Sequence, residues 1–422
     1  MTFIEDLKWR GMIHDIMPGT QKQFEKEITA AYIGFDPTAD SLHIGNLVQI
    51  MILVHLQKHG HKPIALVGGA TGMVGDPSGK SQERNLLNEK TLNHNLIAVQ
   101  KQLEKFLDFD CGDNSAEVVN NYDWFKKFSF LNFIRDIGKH MSINYMMAKD
   151  SVKSRLEVGM SFTEFSYQLV QAYDFYWLWK NKNCKVQLGG SDQWGNIVSG
   201  TELIRRKDGG KAFALTTPLI KKADGGKFGK TETGNIWLDK TKTSPYKFYQ
   251  FWLNSSDQDS KNYIKIFSLK NQAEINELIE KHDQAPHLRL LQKALAEEVT
   301  TRIHSKEDLR MAIKASNILF GKATNEDIKS LDENTFLTVF EGVPKSEITK
   351  TNLTEPILEF ISNHTKIFTS KSEVRRMIQS NAISINKEKI TENFKLSENN
   401  LINDKYILIQ KGKKNYHVIT LS

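Results

Sequence analysis

The chain reads as an α/β protein: a doubly wound parallel sheet first, then a helical segment, then a small α+β unit. Three observations carry this. Residues 31 to about 220 alternate strand-like runs, AYIGF, PIALVGGA and KVQLGG, with longer helical patterns, as parallel strands joined by crossover helices do. From about 245 to 320 the pattern is helical and charged, as in HLRLLQKALAEEVTTRIHSKEDLRMAIKASNILF. Further on, a helix candidate, SKSEVRRMIQSNA, precedes short strands in ISINKEKI and KYILIQKGKKNYHVITL, with polar turns between them. The division expected is a sheet domain over 1–220, a loop and helical domain over 221–325, an aperiodic linker over 326–350, and the α+β unit over 351–422.

With 422 residues there is room for two or three domains and a large core. A composition of 39% hydrophobic and 25% charged residues is that of a folded protein, not a disordered one. No apolar run approaches the ~20 residues of a membrane helix. The segment MTFIEDLKWRGMIHDIM scatters charges where a secretion signal would carry an apolar core. Cys111 and Cys184 are too few for a disulfide framework or a multi-cysteine metal site, so a reducing, cytoplasmic setting without a protein-bound metal is expected. The formal net charge of +7 is uneven: residues 351–422 hold eleven Lys and Arg against seven Asp and Glu. A nucleic-acid surface and a solvated basic face both fit that excess.

DPTADSLHIGN, Asp36 to Asn46, is a turn running into a buried helix, LVQIMILVHL. Asp36, Thr38, Asp40 and Ser41 can accept hydrogen bonds from the unpaired N–H groups of a starting helix. His43 and Asn46 fall in its first turn, where the helix dipole favours an anion, so a phosphate site is expected. HKPIALVGGATGMVGDPSGKS, from His61 to Ser81, is not a P-loop. Only three residues separate Gly75 from Gly79-Lys80-Ser81 where four are needed, and Pro77 removes an N–H from the gap. Gly69, Gly72 and Gly75 also miss the dinucleotide spacing, and taken alone the loop is a glycine-rich turn.

KKADGGKFGKTETG, Lys221 to Gly234, sets Lys227 and Lys230 among glycines. It is either an exposed basic hairpin tip or a mobile loop closing over a polyphosphate. In FTEFSYQLVQAYDF, Tyr167, Gln171 and Asp174 share one helix face. A polar triad among aromatics suits a small-molecule pocket wall better than a surface edge. QLGGSDQWGN, Gln187 to Asn196, ends a strand in a polar cluster fit for a ribose or an amino acid's head group.

Together and in this order these segments resemble the class I aminoacyl-tRNA synthetases, and among them the bacterial-type tyrosyl family. HIGN at 43–46 is similar to that class's HIGH signature and KFGKT at 227–231 to its KMSKS loop. The tyrosyl branch is carried by YIGFDPTADSLHIGN, GGATGMVGDPSGK, NNYDW, FTEFSYQLVQAYDF and GGSDQWGN. SEVRRMIQSNAISIN with KGKKNYHVI resembles that family's C-terminal S4-like RNA-binding domain. The resemblance implies a Rossmann-like catalytic domain, ATP as substrate accompanied by Mg²⁺, L-tyrosine and tRNA(Tyr) as partners, and a homodimer.

For the site, the resemblance implies that Thr38, His43 and Asn46 hold the triphosphate and that Lys227, Lys230 and Thr231 close over it, with Lys80 and Arg84 assisting. Asp36, Gly45, Gly190 and Asp192 fall on the ATP side, Asp192 at the ribose. Tyr32 and Asp174 meet the phenol hydroxyl, Asp76, Tyr167 and Gln171 the ammonium group, and Gln193 the carboxylate. Bound phenylalanine would then leave Asp174 unpaired. Arg205, Arg206, Lys207, Arg375, Arg376, Lys411, Lys413 and Lys414 are expected on tRNA phosphates. Asn46 replaces the motif's second His and keeps a donor without the charge, so a tuned rate is expected. Ile33 stands where some relatives carry a polar side chain, at the cost of one ribose contact. A tryptophanyl enzyme is disfavoured by Tyr32 with Asp174 and by the S4-like tail. A non-catalytic RNA-binding relative is disfavoured by intact His43, Lys227 and Lys230.

Overall fold

The computed structural model describes residues 1–78, 87–150, 152–153, 159–231, 234–320, 324–341, 343–365, 367–368, 370–412 and 415–422. Compactness groups Met1–Asp239 with Ser255–Leu295, and Lys240–Asn254 with Ala296–Ser422. A boundary placed at 220 on pattern alone has no means of anticipating units assembled from separated stretches.

In the first unit five parallel strands, β1 (Ala30–Phe35), β2 (Lys62–Val67), β3 (Glu117–Asn120), β4 (Cys184–Gly190) and β5 (Phe213–Thr217), stand in the order β3-β2-β1-β4-β5. The chain builds outward from β1 to one side and then, from β4, to the other. The carboxyl ends of β1 and β4 therefore flank the switch point, where doubly wound sheets open a crevice. The central strand is buried on both faces, with Ala31, Tyr32 and Ile33 each 2% exposed or less. β1, β2 and β4 match the three strand-like runs. β3 (EVVN) and β5 (FALTT) do not, because four or five residues give too little pattern.

Four helices matter to the crevice: α1 (Ile44–Lys58), α2 (Glu89–Leu103), α3 (Phe162–Lys182) and α4 (Trp194–Asp208). α1 follows β1 and is a core helix, its Ile50, Met51, Ile52 and Leu53 all wholly buried. α3 starts at Ser161, whose side chain accepts from Glu164 N–H, and stops at Asn183 in the left-handed conformation, φ 51°. Between them it runs 21 residues, lining the crevice with one face and packing Phe175 and Leu178 into the core with another.

In the second unit β8 (Lys345–Ile348), β9 (Ile383–Ile385), β10 (Glu388–Lys389), β11 (Tyr406–Lys411) and β12 (Asn415–Leu421) form a sheet in the order β10-β9-β11-β12-β8. All its pairings are antiparallel except β12 with β8. Two helices, Ile357–His364 and Lys371–Gln379, bring Phe360, Ile361, Val374 and Ile378 onto Ile383, Ile385, Ile407 and Ile409. The expected linker over 326–350 is a correction. It carries two short helices, Asn325–Lys329 capped by Thr324 and Glu333–Val339 capped by Asp332, and then β8. Elements this short show no periodicity, and the partner of β8 lies some seventy residues further on.

Candidate active site

A cavity of about 430 Å³ opens at the carboxyl ends of β1 and β4. Among the residues singled out in the sequence it brings together Tyr32, Asp36, Thr38, His43, Gly45, Asn46, Asp76, Tyr167, Gln171, Asp174, Gly190, Asp192 and Gln193. Gln49, Thr71 and Gln187 line it as well, and no pattern had marked them. Four of the lining side chains are aspartates, while His43 is the one basic side chain among those described, so the cavity favours cations.

Asp174, projecting from α3, is 1% exposed. Its Oδ1 accepts from Trp124 Nε1 at 2.8 Å and its Oδ2 from Asn121 Nδ2 at 3.0 Å. Burial nevertheless outweighs both donors and pushes its pKa up to about 8, helped by the charge of Asp36. Asp174 is therefore not the group an apolar ligand would strand. The orphan is Tyr32 Oη, buried and without a hydrogen-bond partner among the described residues, its pKa raised well above the usual value by burial and by Asp174. Asp36, expected as a helix cap, accepts instead from Thr71 Oγ1 at 2.6 Å and from Tyr167 Oη at 3.0 Å.

Also at the cavity, Asp76 accepts from Gln193 Nε2 at 2.7 Å and from Ser78 N–H at 2.9 Å, with Asn196 Nδ2 at 3.4 Å. These donors hold both its oxygens in place at the cavity. Gln171 Oε1 and Gln187 Oε1, one from α3 and one from β4, are buried without a partner among the described residues. A ligand that fills this cavity must bring donors to meet these acceptors.

The first turn of α1 is closed differently from expectation. His43 is the N-cap: its Nδ1 accepts from Gly45 N–H at 3.0 Å, and Asn46 Oδ1 accepts from His43 N–H at 3.1 Å. Ile44 N–H donates to Ile236 O, so the turn's N–H groups are spent within the chain. An anion here is met by side chains. With Nδ1 accepting, the neutral ring carries its proton on Nε2, and with Oδ1 accepting, Asn46 keeps Nδ2 as its donor.

Lys227 and Lys230 are exposed and do not line the cavity. Their segment leads into a hairpin of β6 (Lys230–Thr231) and β7 (Gly234–Asn235). It is tied to the start of α1 through the backbone: Ile44 N–H donates to Ile236 O and Leu238 N–H to Leu42 O, while Ile236 N–H donates back to Gly229 O within the segment. Gly229 has φ 78°, and a Cβ there would sit 2.8 Å from Ile44 Cγ1, so only glycine allows this approach. Lys80 and Arg84 lie outside the described residues.

The model of the class I tRNA synthetases for tryptophan and tyrosine matches residues 25–321, and that of the tyrosine–tRNA ligase C-terminal domain matches 335–419. A tyrosine–tRNA ligase of Flavobacterium johnsoniae is 61% identical over 424 residues, spanning 99% of this chain and 98% of its own. One of Bacteroides thetaiotaomicron is 60% identical over 428 residues, 99% of each. The chain belongs to the tyrosyl-tRNA synthetase family. Among solved structures, a C-terminally truncated mitochondrial tyrosyl-tRNA synthetase of Aspergillus nidulans is 32% identical, covers 76% of this chain and 94% of its own, and has a TM-score of 0.68. A tryptophanyl-tRNA synthetase of Plasmodium falciparum, 13% identical with a TM-score of 0.52, shares the fold.

The basic residues of this synthetase are less free than their sequence suggests. Arg205 and Arg206, on the exposed side of α4, both hold Glu202, which lowers its carboxyl to about 2. Lys207 donates to Asp136 O at 3.3 Å. In the second unit Lys411 pairs with Glu373 at 2.8 Å and Arg375 with Glu392 at 3.2 Å, while Arg376 is exposed. Lys413 and Lys414 lie outside the described residues.

Proposed function

We propose that the cavity is the site at which L-tyrosine reacts with ATP to give tyrosyl-adenylate and pyrophosphate, and that the same enzyme then transfers tyrosine to the 3′ end of tRNA(Tyr). The observation that carries this is the buried Tyr32 Oη beside Asp174 at a cavity wall rich in acceptors. A phenol hydroxyl supplies what that wall lacks, a partner for Tyr32 Oη, with Asp174 next to it. Phenylalanine would leave Tyr32 Oη buried and unpaired, a cost of about 1–3 kcal/mol for that group alone.

The substrate's ammonium group faces Asp76, Tyr167 and Gln171, where carboxylate charge and an unpaired carbonyl suit a cation. Its carboxylate, near Gln193, attacks the α-phosphorus. The new O–P bond forms as the bond to the bridging oxygen breaks, and pyrophosphate leaves with the electron pair. No protein nucleophile is required, so catalysis is positioning and charge stabilisation. His43 Nε2–H, Asn46 Nδ2 and Thr38 are the donors toward the phosphates, while Lys227 and Lys230 close from outside, joined by Lys80, Arg84 and Thr231. Asp36, Gly45, Gly190 and Asp192 shape the nucleotide side. Mg²⁺ arrives with ATP as part of that substrate.

Arg205, Arg206, Lys207, Arg375, Arg376, Lys411, Lys413 and Lys414 remain the proposed tRNA contacts, several exchanging a carboxylate partner for a phosphate. A cytoplasmic homodimer is the proposed form, supported by Phe130, Leu131, Ile143 and Phe162, each more than 60% exposed. The test is ATP–pyrophosphate exchange without tRNA, run with tyrosine, phenylalanine and tryptophan. Exchange with tyrosine alone is expected, and none with any amino acid from folded protein would overturn the proposal.

A further inference from the structure

We infer that Arg10 is a positioning residue for the reaction, holding in place the helix on which the segment of Lys227 and Lys230 rests. Arg10 does not line the cavity. It is the C-cap of the helix Phe3–Trp9 and is 4% exposed, its Nε donating to Asp6 Oδ1 at 2.9 Å. The rest of the guanidinium reaches a second helix, Asp257–Phe267, at the end where the last carbonyls have no partner within the helix. Nη1 donates to Lys265 O at 2.6 Å and to Ser268 O at 3.0 Å, and Nη2 to Lys270 O at 3.0 Å. Lys58, the last residue of α1, donates to Leu269 O at 2.6 Å. Two cations thus bind four carbonyls at the negative end of one helix, and Arg10 takes three of them with its rigid fork of donors.

The same helix is the seat of the lysine segment. Asp259, Tyr263 and Phe267 follow one another at intervals of four residues and so share one face. Asp259 Oδ1 accepts from Ala223 N–H at 2.8 Å. The ring of Phe228 lies 5.0 Å from that of Tyr263 and stacks on that of Phe267 at 5.6 Å, the planes 17° apart. Tyr263 and Phe267 are buried, while Lys227 and Lys230, on either side of Phe228, are exposed. Beyond Phe228 the segment joins the start of α1, so that joint and the seat of Phe228 together set where the two ammonium groups can reach. Phe267 belongs to the turn that Arg10 closes, its neighbour Lys265 giving one of the bound carbonyls. A shift of that turn moves the ring under Phe228 and carries both lysines with it, and a misplacement of about 1 Å is enough to slow a positioned reaction. The inference rests on the tyrosine-activating reading above, in which those lysines close over the phosphates.

The test is a mutant cycle in tyrosine-dependent pyrophosphate exchange with the full chain: Arg10→Met, Arg10→Lys and Phe228→Ala, each alone and combined with Lys230→Ala. Arg10→Met should lower kcat roughly tenfold with the KM for tyrosine unchanged, and Arg10→Lys, which still reaches a carbonyl, roughly threefold. Phe228→Ala leaves the helix end untouched, so it should reproduce the loss of kcat without a loss of melting temperature. Combined with Lys230→Ala, the tenfold loss should shrink below about threefold, because a lysine that is absent cannot be misplaced. An Arg10 that only stabilises the fold would act equally in both backgrounds. Should Arg10→Met not fold, Arg10→Lys and Phe228→Ala complete the cycle. Undiminished losses in the Lys230→Ala background, a kcat that Arg10→Lys and Phe228→Ala leave unchanged, or a tyrosine KM that moves with kcat would overturn the inference. Absence of exchange in the wild type would overturn the activation reading and this inference with it.

Discussion

The two sheets of the molecule treat polar atoms in opposite ways. The parallel sheet ends in a cavity where Tyr32 Oη and the side-chain oxygens of Gln49, Gln171 and Gln187 are buried and unmet among the described residues. In the mixed sheet of the second unit buried side chains bond within the chain: Asn386 accepts from Leu408 N–H at 2.9 Å, and Nε2 of His417 bonds Ser346 Oγ at 2.8 Å. Its charges stand outside instead, on Arg375, Arg376 and Lys389. A small substrate taken out of water must find its bonds waiting, and the protein bears that strain beforehand. A polyanion stays solvated and is met by surface charge, so nothing inside has to be left open.

The sharpest way to break that contrast is at Asp174. Asp174→Ala strands Trp124 Nε1, leaves Asn121 Nδ2 with Thr71 Oγ1 as its one remaining acceptor, and removes the carboxyl proposed to meet the phenol. Tyrosine-dependent exchange should drop roughly a hundredfold or more. A drop below tenfold would mean the cavity's polar wall does not read the phenol. His43→Asn comes next, because asparagine keeps a good helix cap while removing the Nε2 donor. Stopped-flow or exchange kinetics should show kcat down about a hundredfold with thermal stability and tyrosine KM little changed. A matching loss of melting temperature would recast His43 as a structural cap.

Asp174 also gives the first unit a pH signature. Its folded pKa of about 8 lies above the unfolded value near 3.8, so the folded chain holds the extra proton between them. Stability from this group is full below about pH 4 and is lost as pH rises through 8. Melting of the ligand-free protein should fall over that range by at most about 1.4 kcal/mol per pH unit from this group, and Asp174→Asn should flatten the fall. An unchanged slope in the variant would assign it elsewhere. The smallest effect is expected in the second unit: Arg376→Ala should weaken tRNA charging a few-fold, lower the salt slope by about one, and leave exchange without tRNA untouched. Any change in exchange would blur the division between the two sheets.

The sequence made much of the first unit legible and little of its support. Tyr32 and Asp174 could be named because they stand in long motif-bearing segments. Asn121 and Trp124 belong to NNYDW, which marked the family without revealing that both side chains turn to Asp174, some fifty residues on. Gln49 sat in a run read as apolar, where a lone amide was itself the signal. The cap at His43 was missed because Asp36, Thr38, Asp40 and Ser41 are better cappers by type. Only the fold shows that Asp36 is already committed to Thr71 and Tyr167. β8 was lost for the same reason as Asn121: its meaning lies with a strand far along the chain.

That strand has a consequence for how the second sheet comes into being. β12 lies between β11 and β8, so the strand synthesised last of the five occupies an interior place. Until residues from Asn415 onward have emerged, β8 has no partner and β11 exposes one side of its ladder. A message truncated just ahead of Asn415 would therefore yield two open edges in place of one shortened sheet, a product marked for degradation or aggregation by its unpaired backbone.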